Sequence, residues 1–259
     1  MTQRRPSQPG WRGAVDNVLA TAGPVPRALA DGWRRELDDV ERRVLAAGRT
    51  GLRRPTNAMP VSAVRASVAT VSELPASALD DGMHALVVLA TARLGTVWAV
   101  DDLLDVACAV ELADRATRHH DAVADRLEDP RVGFGRRRNV LAVLDGDLSI
   151  TQAAVLVADV GSTAYRILVR GYGGAQVARL RGDLVAARVA LLQAATSLGA
   201  LVAGVPQLAV DALWRDARTG VTPESPVPAR VLGFMLDTVG AMRSTTRSMG
   251  STASRAGAR

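Results

Sequence analysis

Apolar residues in this chain recur at the three- and four-residue intervals of a helix. Trp33, Leu37, Val40, Val44 and Leu45 fall on one face of a segment covering 26–47, which predicts an amphipathic helix there. A loop follows through GRTGLRRPTNAMP. From Val61 onward the spacing predicts helices at about 61–72, 77–95, 99–127, 136–160, 162–171, 176–203 and 207–216, parted by short Gly, Asp or Pro breaks. Apart from the short run 155–157, no stretch alternates as a half-buried strand does, so the fold class is all-α.

Two stretches stand apart from this rhythm. Residues 189–210 carry no charge over 22 positions, long enough to cross a bilayer by count. Gln193, Thr196, Ser197, Gly199, Gly204, Pro206 and Gln207 interrupt that run, so it reads as a helix buried by its neighbours, and the chain is not expected to be transmembrane. Beyond Asp216 the texture turns to Pro, Ser, Thr, Gly and Arg, and only 231–239 has the pattern of a short helix. The expected organisation is a basic disordered arm at 1–25, a helical domain at 26–216 and a largely disordered tail at 217–259.

Composition sharpens the picture in three places. Residues are 48% hydrophobic and only 3% aromatic, so the core must be built from Ala, Val and Leu, which suits close helix packing. The net charge of +6 sits at the two ends, whereas 61–216 holds 15 Arg against 18 acids; without a basic, aromatic-studded folded surface, no nucleic-acid partner is expected. All 32 basic residues are Arg, which excludes Schiff-base and P-loop lysine chemistry. The single Cys108 excludes an intrachain disulfide, and MTQRRPSQPGW has no apolar segment behind its charges, so a cytoplasmic location is expected.

Two groups of acids are spaced i, i+4, which stacks like charges on one helix face and destabilises it unless a cation sits between them. Asp101, Asp102 and Asp105 form DDLLD, a pattern that suits Mg2+ and diphosphate but equally suits a helix start, with Asp101 as cap and its neighbours in the favourable first turn. Asp121 and Asp125 form the second group, directly after His119 and His120.

The surroundings of that second group resemble the trans-type polyprenyl diphosphate synthases. In AVELADRATRHHDAVADRLEDPRVGFGRRRNVLAVLDGDLSITQAAVLVADVG, residues 109–161, Glu111, Leu112, His120, Asp121 and Asp125 fall on the family's Ala-x-Glu-Leu and His-Asp-Asp-x-x-Asp pattern. Leu141, Val143, Leu144, Gly146 and Asp147 fall on its Ala-Val-Leu-x-Gly-Asp helix start. LLQAATSLGALVAG at 191–204 and HALVVLATARLG at 84–95 are similar to two further family helices, so the likeness covers about 30–215. It implies an isoprenoid-synthase-type antiparallel helix bundle around a central apolar cavity, with DDLLD lying upstream of the metal site. The resemblance further implies Mg2+ on Asp121 and Asp125 as catalytic and metal residues. Diphosphate contacts would come from Arg131, Arg136, Arg137 and Arg138. Ala116 and Thr117, five and four positions before Asp121, would leave the chain-elongation cavity unplugged.

The departures from the family pattern matter equally. The second aspartate of the motif is Ala122, and the Lys-Arg-x-Arg anchor aligns near LDDGMHA, where His84 alone has basic character. Ala187 and Arg188 stand where the family has Lys-Thr, and the second aspartate-rich motif is missing, with Asp237 its faint echo. The expected function is therefore a polyprenyl diphosphate synthase-like protein acting on isoprenoid diphosphates, weak or inactive alone. The alternative is a non-catalytic subunit; in either case the expected assembly is a homodimer, or a heterodimer with a complete synthase.

Overall fold

The computed structural model describes residues 16, 18, 20, 25–50, 82–96, 99–127, 135–222 and 224–240, with the backbone alone at 48–50, 122, 124–127 and 135–138. The helix expected at 61–72 lies outside the described residues. Those described form α1 (Arg27–Thr50), α2 (Met83–Ala92), α3 (Val100–Leu127), α4 (Gly135–Val160), α5 (Ser162–Leu180), α6 (Leu184–Val202), α7 (Gln207–Thr219) and α8 (227–240), with no strand among them. The run 155–157 lies inside α4.

The short helix α2 is the centre of the bundle. All ten of its residues are buried, as a helix apolar all round must be, and it packs on α6, α3 and α1. Around it, α3 pairs most extensively with α4, and α5 with α6. With few aromatics to fill space, the backbones come close. A Cβ built on Gly199 of α6 would lie 2.5 Å from the Val88 carbonyl oxygen of α2, so only glycine fits at that crossing. Trp33, Leu37, Val40 and Val44 turn one face of α1 into the same core, whereas Leu45 is half exposed.

Three elements differ in detail from the sequence pattern. The break expected at 172–175 does not occur: α5 runs through Gly171, Gly173 and Gly174, and a Cβ at Gly171 would collide with Ala194 of α6. That glycine serves close packing rather than a turn. The break falls instead at Arg181–Asp183, where Gly182 takes φ 72° and the Asp183 side chain accepts a hydrogen bond from the Ala186 N–H at 2.9 Å. Beyond 216, α8 is longer than the 231–239 pattern, and its Ala229, Val231, Leu232, Met235 and Val239 join the common core. Apolar contact, not composition, decides that segment.

Two helices, 139–160 within α4 and Leu184–Val202, are long and apolar enough to cross a membrane by length and composition. The latter is half buried within the bundle against α2 and α5, as a core helix is.

Candidate active-site mouth

The last turns of α3 carry His119, His120 and Asp121 to the point where α4 and α5 cross. Gly146 makes the approach possible, because a Cβ there would collide with the His120 ring. The His120 ring is then held from two sides: its Nε2 lies 3.4 Å from an Asp147 carboxylate oxygen, and its Nδ1 is 3.2 Å from the Tyr172 hydroxyl. Burial raises the Tyr172 phenol above its usual value, an effect that Gln176 opposes and Asp147 reinforces.

Asp121 is not free. The Arg179 guanidinium, reaching across from α5, forms an ion pair with its carboxylate. Arg179 is the more buried partner, with 10% of its side chain exposed against 38% for Asp121. Two positions earlier, His119 is buried, and burial together with the charges of Arg115, Arg118 and His120 lowers its pKa to about 4. Its Nε2 accepts a 3.4 Å hydrogen bond from Arg115 Nε, which requires the neutral ring.

The residues singled out in the sequence are only partly brought together. Asp125 is helical in α3 with its side chain outside the described residues; the same holds for Arg136, Arg137 and Arg138 at the start of α4, and Arg131 lies outside altogether. Ala116 and Thr117 have no exposed surface, and the Thr117 hydroxyl donates to the Asp114 carbonyl at 2.6 Å. Ala187 faces the core. His84, in the first turn of α2, sits with Glu111 and Asp114, so the position aligned with the diphosphate anchor presents two carboxylates beside its one imidazole. DDLLD starts α3 with Asp101 and Asp102 in the first turn, and its i, i+4 acids do have a cation between them: Arg43 of α1 pairs with both Asp101 and Asp105.

Among solved structures, a geranylgeranyl pyrophosphate synthase from Corynebacterium glutamicum superimposes with a TM-score of 0.54 at 16% identity, covering 89% of this chain and 86% of that one. A decaprenyl diphosphate synthase from Rhodobacter capsulatus gives 0.53 at 22% identity over 73% of this chain, which spans 62% of that protein's length. This is the polyprenyl-synthase fold. Neither a protein-family model nor a curated protein matches the sequence.

Polyprenyl-synthase chemistry would ask this place to hold Mg2+, and the one motif carboxylate whose side chain is described, Asp121, does not offer itself freely to that ion. Hard carboxylate oxygens with room for waters are what Mg2+ requires. Asp121 is already neutralised by Arg179, Ala122 offers no ligand, and Asp125 alone completes the motif. Across 207–222 and 224–240 the acids are Asp211, Asp216, Glu224 and Asp237, scattered rather than clustered. Arg179 gave no signal in the sequence, being 58 positions from its partner. The polar partners Asp147 and Tyr172 likewise become visible only when α4 and α5 fold against α3.

Proposed function

We propose that this chain is a polyprenyl diphosphate synthase-like protein that, by itself, is weak or inactive in condensing isopentenyl diphosphate with an allylic diphosphate. The observation that carries the reading is the ion pair between Asp121 and Arg179. Ionising an allylic diphosphate expels a leaving group with about three negative charges, so catalysis depends on cations placed around it. Here the first aspartate is spent on an internal guanidinium. The anchor position is acidic, through Glu111 and Asp114. Each lost charge-stabilising contact costs about 2.7–4 kcal/mol when it behaves as an oxyanion donor does, so several losses remove many decades of rate. A cytoplasmic location accompanies this reading.

A second reading, a subunit that pairs with a complete synthase, is favoured by the outer faces of α4 and α5. Val140, Leu144 and Val155 of α4 are each more than half exposed, and Tyr165, Val169 and Val177 of α5 are each more than two-fifths exposed. A partner chain burying these residues would remove them from water.

Calorimetric titration of the purified chain with isopentenyl and allylic diphosphates, with and without Mg2+, tests the first reading. Weak binding that does not depend on Mg2+ is expected. Tight Mg2+-dependent binding that Asp121→Ala abolishes would overturn it.

A further inference from the structure

At the junction of α2 and α3 lies the cluster that the proposed function reads only as an acidic anchor position. His84, Glu111 and Asp114 are 7%, 2% and 5% exposed, and one donor atom from each lies within 4.8 Å of the other two. Local geometry assembles it. Gly82, at φ 85°, turns the chain into α2 and places His84 in its first turn, while the Glu111 carboxylate accepts the Ala85 N–H at 2.8 Å and so docks that helix end on α3. Asp114 follows Glu111 by three positions and shares its helix face.

We propose that His84, Glu111 and Asp114 form a buried site for a transition-metal dication, with Zn2+ the favoured ion. The donor set decides the ion class: one imidazole and two carboxylates suit Zn2+ or a neighbouring first-row metal, whereas Mg2+ takes oxygen ligands and waters. Two carboxylates so close in a buried place repel each other; the Ala85 N–H of α2 donates to Glu111, and Arg118 Nε is 3.0 Å from Asp114. Arg118 is the more exposed partner of that pair, with 27% of its side chain exposed. The proposal requires Arg118 to give up Asp114 to the metal. Donors around a Zn2+ ion stand about 3.4 Å apart in a tetrahedral arrangement, so binding would need the three donors, now within 4.8 Å of one another, to draw closer, with a fourth position left to water. This site does not involve the Asp121–Arg179 pair, but it shares Glu111 and Asp114 with the anchor position of the proposed function.

The test uses the full-length chain, stripped with a chelator and reloaded with Zn2+, Mn2+ or Mg2+ before desalting and metal analysis. One equivalent of Zn2+ per chain is expected to remain, undisplaced by excess Mg2+. His84→Ala is expected to lower Zn2+ affinity at least tenfold, Arg118→Met to raise it, and the double variant His119→Ala/His120→Ala to leave it unchanged. Absence of retained Zn2+, or retention by His84→Ala equal to the parent, overturns the proposal. Should a variant fail to fold, Co2+ added to the unaltered chain still decides. Intense visible bands of a low-coordinate imidazole–carboxylate site support the proposal, and the faint spectrum of hydrated Co2+ alone overturns it.

Discussion

His119 makes the fold sensitive to acid in a way that can be worked out in advance. The ring is buried, accepts a hydrogen bond from Arg115, and has its pKa lowered to about 4 by desolvation and then by Arg115, Arg118 and His120. In the unfolded chain the imidazole takes up its proton near pH 6.5, whereas the folded one does so only near pH 4. Between those values the unfolded state binds more protons. Stability is therefore fully present above about pH 6.5 and is lost as pH falls toward 4, at about 1.4 kcal/mol per unit. From about pH 7 to about pH 5 the loss is about 2 kcal/mol, an amount comparable with a third of a typical domain's stability. Urea denaturation at both pH values reads it directly, and His119→Gln, which keeps an acceptor for Arg115 but cannot titrate, is expected to lose less by about that amount. Equal pH dependence in the parent and His119→Gln, or an NMR titration of the ring near its ordinary value, would refute the reasoning.

Three further outcomes follow from the same contacts. Gly199→Ala places a Cβ 2.5 Å from the Val88 carbonyl oxygen, backbone that cannot move aside; overpacking of about 1–3 kcal/mol outweighs a helix-propensity gain of about 1 kcal/mol, and a lowered urea midpoint is the check. Arg179→Ala releases Asp121, so Mg2+ titrated into the variant is expected to give binding heat that the parent lacks; identical traces would show that Arg179 is not what keeps Mg2+ from Asp121. Cys108 has no exposed surface and its thiol is pushed up to about 12, chiefly by burial, so a thiol reagent at neutral pH is expected to label it only after unfolding.

Helix existence was legible in the sequence because local periodicity reports burial on one face. The apolar spacing of Trp33, Leu37, Val40 and Val44 needs no partner to be seen, and α3 begins within a residue of its expected start. What failed were features decided by distant partners. The glycines at 171–174 read as a break because local propensity cannot show Ala194 waiting on α6. Within a stretch assigned to the tail, 231–239 read as a short helix, but the Pro, Ser and Arg around it hid that the helix spans 227–240 and sends five side chains into the core. At the mouth the same limit applies: His120 and Asp121 stand out by motif, but Arg179, Tyr172 and Asp147 reach them from other helices. The acidic pairing at DDLLD was visible, and the cation it needed, Arg43, was not.

The central claim is a polyprenyl-synthase fold whose mouth does not sustain catalysis alone. Incorporation of labelled isopentenyl diphosphate into longer prenyl chains by the purified protein, with an allylic diphosphate and Mg2+, tests it most directly. Turnover at background is predicted; robust turnover abolished by Asp121→Ala would contradict it.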